Sequence, residues 1–379
     1  MHVGFPSLAA CTLLTAVTSG PCVSGTEWLD AGKAEASADG KVLWYDILDL
    51  GLEGRGWMET KTPYDRLPAA AEGKVPPAVW NLSLNSAGMC VRFVTDATAI
   101  QAHWVLRSKT LVMNHMPATG VSGLDLYVRT PDKGWRWVAV GRPESTDNTA
   151  ALTSGLPAGA REITLNLPLY NGVASVKLGI AKEAKLGKAP ARAAERSRPV
   201  LFYGTSITQG GCASRPGMVH TAILGRRLEV PVINLGFSGN GRMEAVMGEF
   251  MAQLDPLVYV LECVPNMGAA EITERVEPFV RILRQAHPTT PILLVEDRTY
   301  ANAFINPAQR SRNDTSRVAY KAAYERLLAA GVSGLHYLAG EDLIGADGEA
   351  TVDGSHPTDL GFVRQADAME KALAALLLR

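Results

Sequence analysis

Apolar and polar residues alternate in the first half of the chain and segregate into blocks in the second. Ile163, Leu165 and Leu167 alternate with Glu162, Thr164 and Asn166, and Val176, Leu178 and Ile180 alternate with Lys177 and Gly179. A period of two buries one face of a strand and wets the other. Short runs of similar character lie at 42–47, 79–84, 89–94, 100–106, 124–128 and 135–140, parted by turn residues such as Pro131-Asp132-Lys133-Gly134. Many short strands at close spacing predict an antiparallel, jelly-roll-like β-sandwich. After Pro199 the pattern becomes short apolar run, loop, helix, repeated. Strands are expected at 200–203, 232–235, 257–264, 292–295 and 335–338. Helices are expected at 220–228, 242–253, 271–286, 317–330 and 359–378. That alternation predicts an α/β domain with a parallel sheet covered by helices on both faces.

A chain of 379 residues is comfortable for two such domains. All seven tryptophans precede residue 138, which reinforces the division. The sandwich is expected over 26–181 and the α/β domain over 200–379. Between them, 182–199 carries Lys182, Lys185, Lys188, Arg192, Arg196 and Arg198 among alanines and prolines, as a solvated linker would. Residues 1–25 differ from the rest. No charge falls between Phe5 and Gly20, small and apolar residues dominate, and Glu27 is the first acid. A signal peptide, and hence a secreted or periplasmic protein, is the expectation. Leu8-Ala9-Ala10-Cys11 spells a lipoprotein cleavage box, but the apolar stretch before it is too short for lipid anchoring to be expected. No apolar run reaches the roughly 18–20 residues of a membrane span.

Charge narrows the function classes. Thirty-seven basic and 38 acidic residues leave a formal net charge of -1, so neither nucleic acid nor an acidic membrane surface is an expected partner. The histidines are scattered without metal-ligand spacing, and no G-x-x-x-x-G-K-[ST] or G-x-G-x-x-G loop follows the first α/β strand. Neither metal nor cofactor is expected. Of the five cysteines, Cys212 and Cys263 lie near the candidate site, where a disulfide and two buried thiols are equally open readings.

In parallel sheets, sites form where loops leave the carboxyl ends of strands. The five loops bring Gly204-Thr205-Ser206-Ile207, Gly236-Phe237-Ser238-Gly239-Asn240, Pro265-Asn266, Glu296-Asp297-Arg298 and Asp353-Gly354-Ser355-His356. A serine hydroxyl needs an imidazole to take its proton, and the imidazole needs a carboxylate to fix its tautomer. Asp353 and His356, three apart on one loop, suit that pairing. An oxyanion needs fixed donors, which backbone N–H groups and an asparagine can supply. Ser238 lies in a stretch close to G-x-S-x-G, but the fifth residue is Asn, so Ser206 is the expected nucleophile.

These blocks resemble those of the SGNH (GDSL-type) hydrolase superfamily, with Thr205 in place of the usual Asp. Gly123-Leu124-Asp125-Leu126-Tyr127 resembles the G-x-D-L-Y signature of a β-domain that precedes some bacterial esterases of that group. The resemblance implies a flavodoxin-like three-layer domain and a metal-independent esterase. It places Ser206, Asp353 and His356 in a catalytic triad, and Ser206 N–H, Gly239 and Asn266 in an oxyanion hole. It further implies an acylated poly- or oligosaccharide as substrate, with acetyl the acyl group. Arg298, Glu296 and His115 are candidate substrate contacts, weighed against ion-pair and turn-forming roles. A lipid or thioester acylhydrolase is the alternative within enzymes; a glycan-binding protein with an inert hydrolase-like domain is the alternative outside them.

Overall fold

The computed structural model describes residues 25–377. The stretch expected as a signal peptide lies almost wholly outside them. Eleven strands occupy the first region: β1 (Glu35–Ala36), β2 (Val42–Asp46), β3 (Leu52–Glu53), β4 (Cys90–Thr95), β5 (Ile100–Leu106), β6 (Leu124–Thr130), β7 (Gly134–Gly141), β8 (Asp147–Thr153), β9 (Arg161–Asn166), β10 (Val173–Ala181) and β11 (Leu186–Lys188). They form two antiparallel sheets, β1-β2-β10-β5-β8 and β11-β4-β9-β6-β7, with β3 added beside β4. Alternating side chains from both sheets meet in one core. Ala102, Trp104 and Leu106 of β5 face it together with Val91 and Phe93 of β4 and Leu165 of β9.

The structure departs from expectation in several places. Residues 79–84 belong to a helix, α1 (Pro77–Ser83), not a strand. Pro76 and Pro77 start it, since a proline at the first helical position gives up only an N–H that has no partner there. The polar edge strand β8 carries no alternation that predicts it. The segment expected to be a linker contributes β11, which pairs with β4, and several of its basic residues make ion pairs, among them Lys188 with Glu27, Arg192 with Glu53 and Arg198 with Asp255.

A second short helix, α2 (Ala118–Val121), precedes β6. The remaining elements are β12 (Val200–Gly204), α3 (Ser206–Gln209), α4 (His220–Leu228), β13 (Val232–Gly236), α5 (Ala245–Met251), β14 (Val258–Glu262), α6 (Ala269–Ala286), β15 (Ile292–Val295), α7 (Pro307–Ala329), β16 (Leu335–Leu338) and α8 (Asp359–Leu377). The five strands pair in parallel in the order β13-β12-β14-β15-β16. Strand pleating splits their side chains between two cores. Val200, Phe202, Val258 and Val260 pack with α4 and α8, while Leu201, Tyr203, Tyr259 and Leu261 pack with α5, α6 and α7. The order reverses at β12, so the crevice at the carboxyl ends of β12 and β14 is where this topology places a ligand site.

The two regions interlock. Arg66, fully buried, donates to the carbonyls of Asn234 (3.1 Å) and Gly236 (2.7 Å) at the carboxyl end of β13, and to those of Leu82 and Asn85 on its own side. Asp125, also fully buried, accepts from Arg215 (2.9 Å), the Gly217 N–H (2.8 Å) and the Trp137 indole (2.9 Å). Tyr127 receives a further bond from Arg215, and the Arg226 guanidinium lies 3.9 Å from its ring centroid. The G-x-D-L-Y stretch is therefore a clasp between the regions. Gly123 belongs to it for space, because a Cβ there would sit 2.5 Å from the Thr119 carbonyl oxygen.

Candidate active site

Ser206 leaves the end of β12 as the first residue of α3, and Thr205 caps that helix. The Thr205 hydroxyl accepts from the Ile207 N–H (3.2 Å), and the Thr208 hydroxyl accepts from the Thr205 N–H (3.3 Å). This reciprocal cap fixes the turn at which the serine sits. Beneath it, Glu262 accepts from Thr208 (3.3 Å) and Gln365 (2.8 Å) and pairs with His220 (3.0 Å). This buried network ties β14, α4 and α8 to the serine helix. Its members lie at 208, 220, 262 and 365, and no local pattern in the chain signals them.

The expected trio meets. Ser206 Oγ lies 2.8 Å from His356 Nε2, and His356 Nδ1 lies 2.8 Å from Asp353 Oδ2. Asp353 also accepts from the N–H groups of Ser355 (3.0 Å) and His356 (2.8 Å), so the loop folds around the carboxylate. Partial burial opposes ionisation of Asp353. The bonds from the His356 N–H, the imidazole and the Ser355 N–H outweigh it and hold the carboxyl down at about 2. Ser238 is not part of this relay; its N–H donates to Gln209 Oε1 (3.0 Å).

Gly239 occupies a left-handed turn (φ +72°) in which a Cβ would meet nothing within 4 Å. In that turn Asn240 and Gly241 donate to the Phe237 carbonyl. The N–H groups of Gly239 and Ser206 have no protein acceptor among the described residues. That of Ser206 is one of the donors a helix N-terminus leaves open. Asn266 follows β14 in a short 3₁₀ turn. Hydrogen bonding sets its amide so that the oxygen accepts from Asn240 N–H and Gly241 N–H (3.1 Å each), which docks it on the Gly239 loop and leaves its NH2 as a donor.

Glu296 and Arg298 are brought near but turned inward. Glu296 binds the Tyr337 hydroxyl and the Gly340 N–H (2.8 Å). Arg298, buried, pairs with Asp297, donates through Nε to the Ser355 carbonyl (3.0 Å), and bonds the Ser355 hydroxyl. It grips the loop that carries Asp353 and His356. His115, from the sandwich side, stands edge-on to His356 with ring centroids 5.7 Å apart. Cys212 and Cys263 are both free thiols, so the disulfide reading is set aside. Burial, aided by the charge of Asp353, pushes the Cys212 thiol up to about 12.

Comparison with known proteins agrees with this architecture. Residues 197–374 match the GDSL-like lipase/acylhydrolase family, and residues 42–186 match the N-terminus of SGNH-hydrolase-type esterases. A Bacteroides ovatus protein described as a GDSL-like lipase is 32% identical, with a TM-score of 0.84 over 89% of this chain and 98% of its own. The chain belongs to the GDSL-like (SGNH) lipase/acylhydrolase family and is an esterase by class. The salicylyl-acyltransferase SsfX3 of a tetracycline biosynthetic pathway shares the fold at 19% identity (TM-score 0.70; 88% of this chain, 97% of that one). So does a family two carbohydrate esterase of Clostridium thermocellum in complex with cellohexaose, at 14% identity (TM-score 0.57; 76% and 92%). A 92-residue stretch, 23% of this chain, is 32% identical to cilia- and flagella-associated protein 54 of Chlamydomonas reinhardtii. It spans only 3% of that protein, too little to define a shared architecture.

Proposed function

We propose that the protein removes small acyl groups, acetyl in the first instance, from carbohydrate esters through Ser206, His356 and Asp353. The observation that carries this reading is the unbroken relay of two 2.8 Å contacts from hydroxyl to imidazole to carboxylate. Ser206 Oγ attacks the acyl carbonyl while His356 Nε2 takes its proton; the proton then passes to the departing sugar oxygen. Water repeats the sequence on the acyl-serine and releases the acid. Asp353 stays ionised, fixes the tautomer with the proton on Nδ1, and stabilises the imidazolium. The N–H groups of Ser206 and Gly239 and the NH2 of Asn266 are assigned to the oxyanion. Such a donor contributes roughly 3–4 kcal/mol to the transition state.

A small acyl group suits a serine that retains only 8% of its surface. A sugar acceptor is supported by the architecture shared with a carbohydrate esterase whose structure holds cellohexaose. The uncharged stretch at 5–20 fits export to where such glycans lie. A lipid acyl chain is the second reading, and the exposed side chains of Phe304 and Ile305 favour it. Their loop is tied to the His356 loop by a bond from Ala301 N–H to the Gly354 carbonyl (3.0 Å). The test is hydrolysis of p-nitrophenyl esters of increasing chain length, with acetate release from acetylated glycans. Ser206→Ala should lower kcat for the acetyl ester by at least about 10³ with the fold intact. Retained turnover removes Ser206 from the chemistry, and a preference for long acyl chains selects the lipid reading.

A further inference from the structure

The fold assembles a donor set that the spacing along the chain conceals. One ligand atom from each of His115, Cys212 and His356 lies within 4.8 Å of the other two. His356 Nδ1 is engaged by Asp353 and His115 Nδ1 by the Asn114 side-chain oxygen, each at 2.8 Å. His115 therefore keeps Nε2 for a further partner, while His356 Nε2 faces Ser206 Oγ at 2.8 Å. An imidazole whose second nitrogen is held by a carboxylate or carbonyl oxygen is the usual form of a metal-bound histidine, since that bond fixes the tautomer and raises basicity. Both rings here have that support. Cys212 adds a buried sulfur, and its N–H donates to the Pro357 carbonyl (3.3 Å), which anchors the thiol beside the His356 loop.

We propose that His115, Cys212 and His356 form an inhibitory site for a borderline-soft divalent cation of the Zn2+ type. Two imidazoles and a thiolate suit such an ion and not Mg2+ or Ca2+, which take oxygen ligands. Bonds of about 2.0–2.3 Å place the donors of a tetrahedral zinc site about 3.3–3.8 Å apart, so this set closes by about 1 Å on binding. His115 is half-buried at the tip of a turn closed by the Met113–Met116 backbone pair, so the approach falls to its side chain. On binding, the Cys212 S–H bond breaks, its proton leaves to solvent, and an S–metal bond forms. The lone pair of His356 Nε2 becomes a metal bond and no longer faces Ser206 Oγ, now 2.8 Å away. The ion thereby withdraws the general base, and because His115 comes from the sandwich, it also bridges the two regions. The loss of activity rests on the esterase reading; the binding does not.

The test uses the full-length protein with Co2+ as a spectroscopic probe and Zn2+ as inhibitor. One equivalent of Co2+ should give near-ultraviolet thiolate-to-cobalt absorption that Zn2+ abolishes. Zn2+ should also inhibit p-nitrophenyl acetate hydrolysis, reversibly on chelation. Cys212→Ala should lose the absorption, and both Cys212→Ala and His115→Ala should raise the Zn2+ concentration for half-inhibition by about tenfold or more, each judged against its own metal-free rate. His115→Ala, on a half-buried loop, keeps the test open if Cys212→Ala folds poorly. No thiolate absorption, wild-type absorption in Cys212→Ala, or unchanged inhibition in His115→Ala would overturn the site. Full absorption changes in a protein without esterase activity would instead overturn the esterase reading and support the site.

Discussion

Asp353 bonds the His356 imidazole directly, whereas Arg298 holds the neighbouring Ser355, and this difference separates their expected phenotypes. Asp353 is held at about 2 against an ordinary value of 3.8. A lowered folded-state value means that its contribution to stability is complete above 3.8 and is lost as pH falls toward 2. It is therefore ionised wherever imidazole titrates. Asp353 is thus not the source of an acid limb in the kcat/KM profile well above pH 2, and Asp353→Asn should lower kcat by about 10³–10⁴ by misplacing the tautomer. A pH-rate series on wild type and variant checks both; a variant with wild-type kcat would detach Asp353 from the imidazole. Arg298 never reaches the reacting atoms. Its fork binds the Ser355 carbonyl and hydroxyl while its charge answers Asp297. Arg298→Lys keeps the charge and loses the fork. It should lower kcat by about tenfold or more with KM little changed, whereas Arg298→Met strands the buried Asp297 carboxylate and should destabilise by about 3–5 kcal/mol. Steady-state kinetics and urea unfolding distinguish the two, and a rise in KM alone for Arg298→Lys would return Arg298 to substrate binding.

At the scale of elements, the helix that opens with Ser206 is only four residues long and depends on its cap. Thr205→Ala should cost about 1 kcal/mol. Thr205→Asp should hold stability and activity within a few-fold, because a carboxylate caps as well as a hydroxyl. Chemical denaturation and kcat on the two variants check this, and equal losses in both would show that the hydroxyl does more than cap. Legibility also varies by element. The five parallel strands read clearly because each is a mainly apolar run, interrupted only by Asn234, Glu262 and His336, between polar loops. The stretch 79–84 misled because Val79, Trp80 and Leu82 fit a short strand as well as one turn of helix, and only the prolines before them argue otherwise. Strand β8 was missed because Asn148, Thr149, Ala150 and Ala151 carry little apolar signal; it lies on a sheet edge. Helix α7 begins ten residues before the expected 317 because its first turns, Pro307 to Arg317, are polar. The gathering of Ser206, His356 and Asp353 at one edge of the sheet is legible from loop position and residue type. The Glu262 network is not, since it arises from tertiary contacts; for Glu296 and Arg298 the sequence leaves substrate contact and an ion-pair role both open, and their contacts are those of the ion-pair role.

Across the whole molecule, the two regions share buried charge and not only apolar surface. Asp125 lies in one region, and Arg215 and the Gly217 N–H that answer it lie in the other. Asp125→Ala leaves Arg215 facing Tyr127 and Trp137 without its carboxylate. It should cost about 3–5 kcal/mol and part a single unfolding transition into two. Calorimetry decides, and an unaltered single transition would mean that the clasp is dispensable.

The position of Arg66 bears on how such proteins diversify. Its guanidinium fills the polar end of β13, one strand away from the serine, so the hydrolase half carries an unfinished surface that only its companion completes. Recombination that swapped the leading module for an unrelated one would leave the Asn234 and Gly236 carbonyls without their buried donor. Exchanging the leading half is therefore tolerated only if its replacement brings a donor to the same two carbonyls, whereas the rim loops carry no such condition.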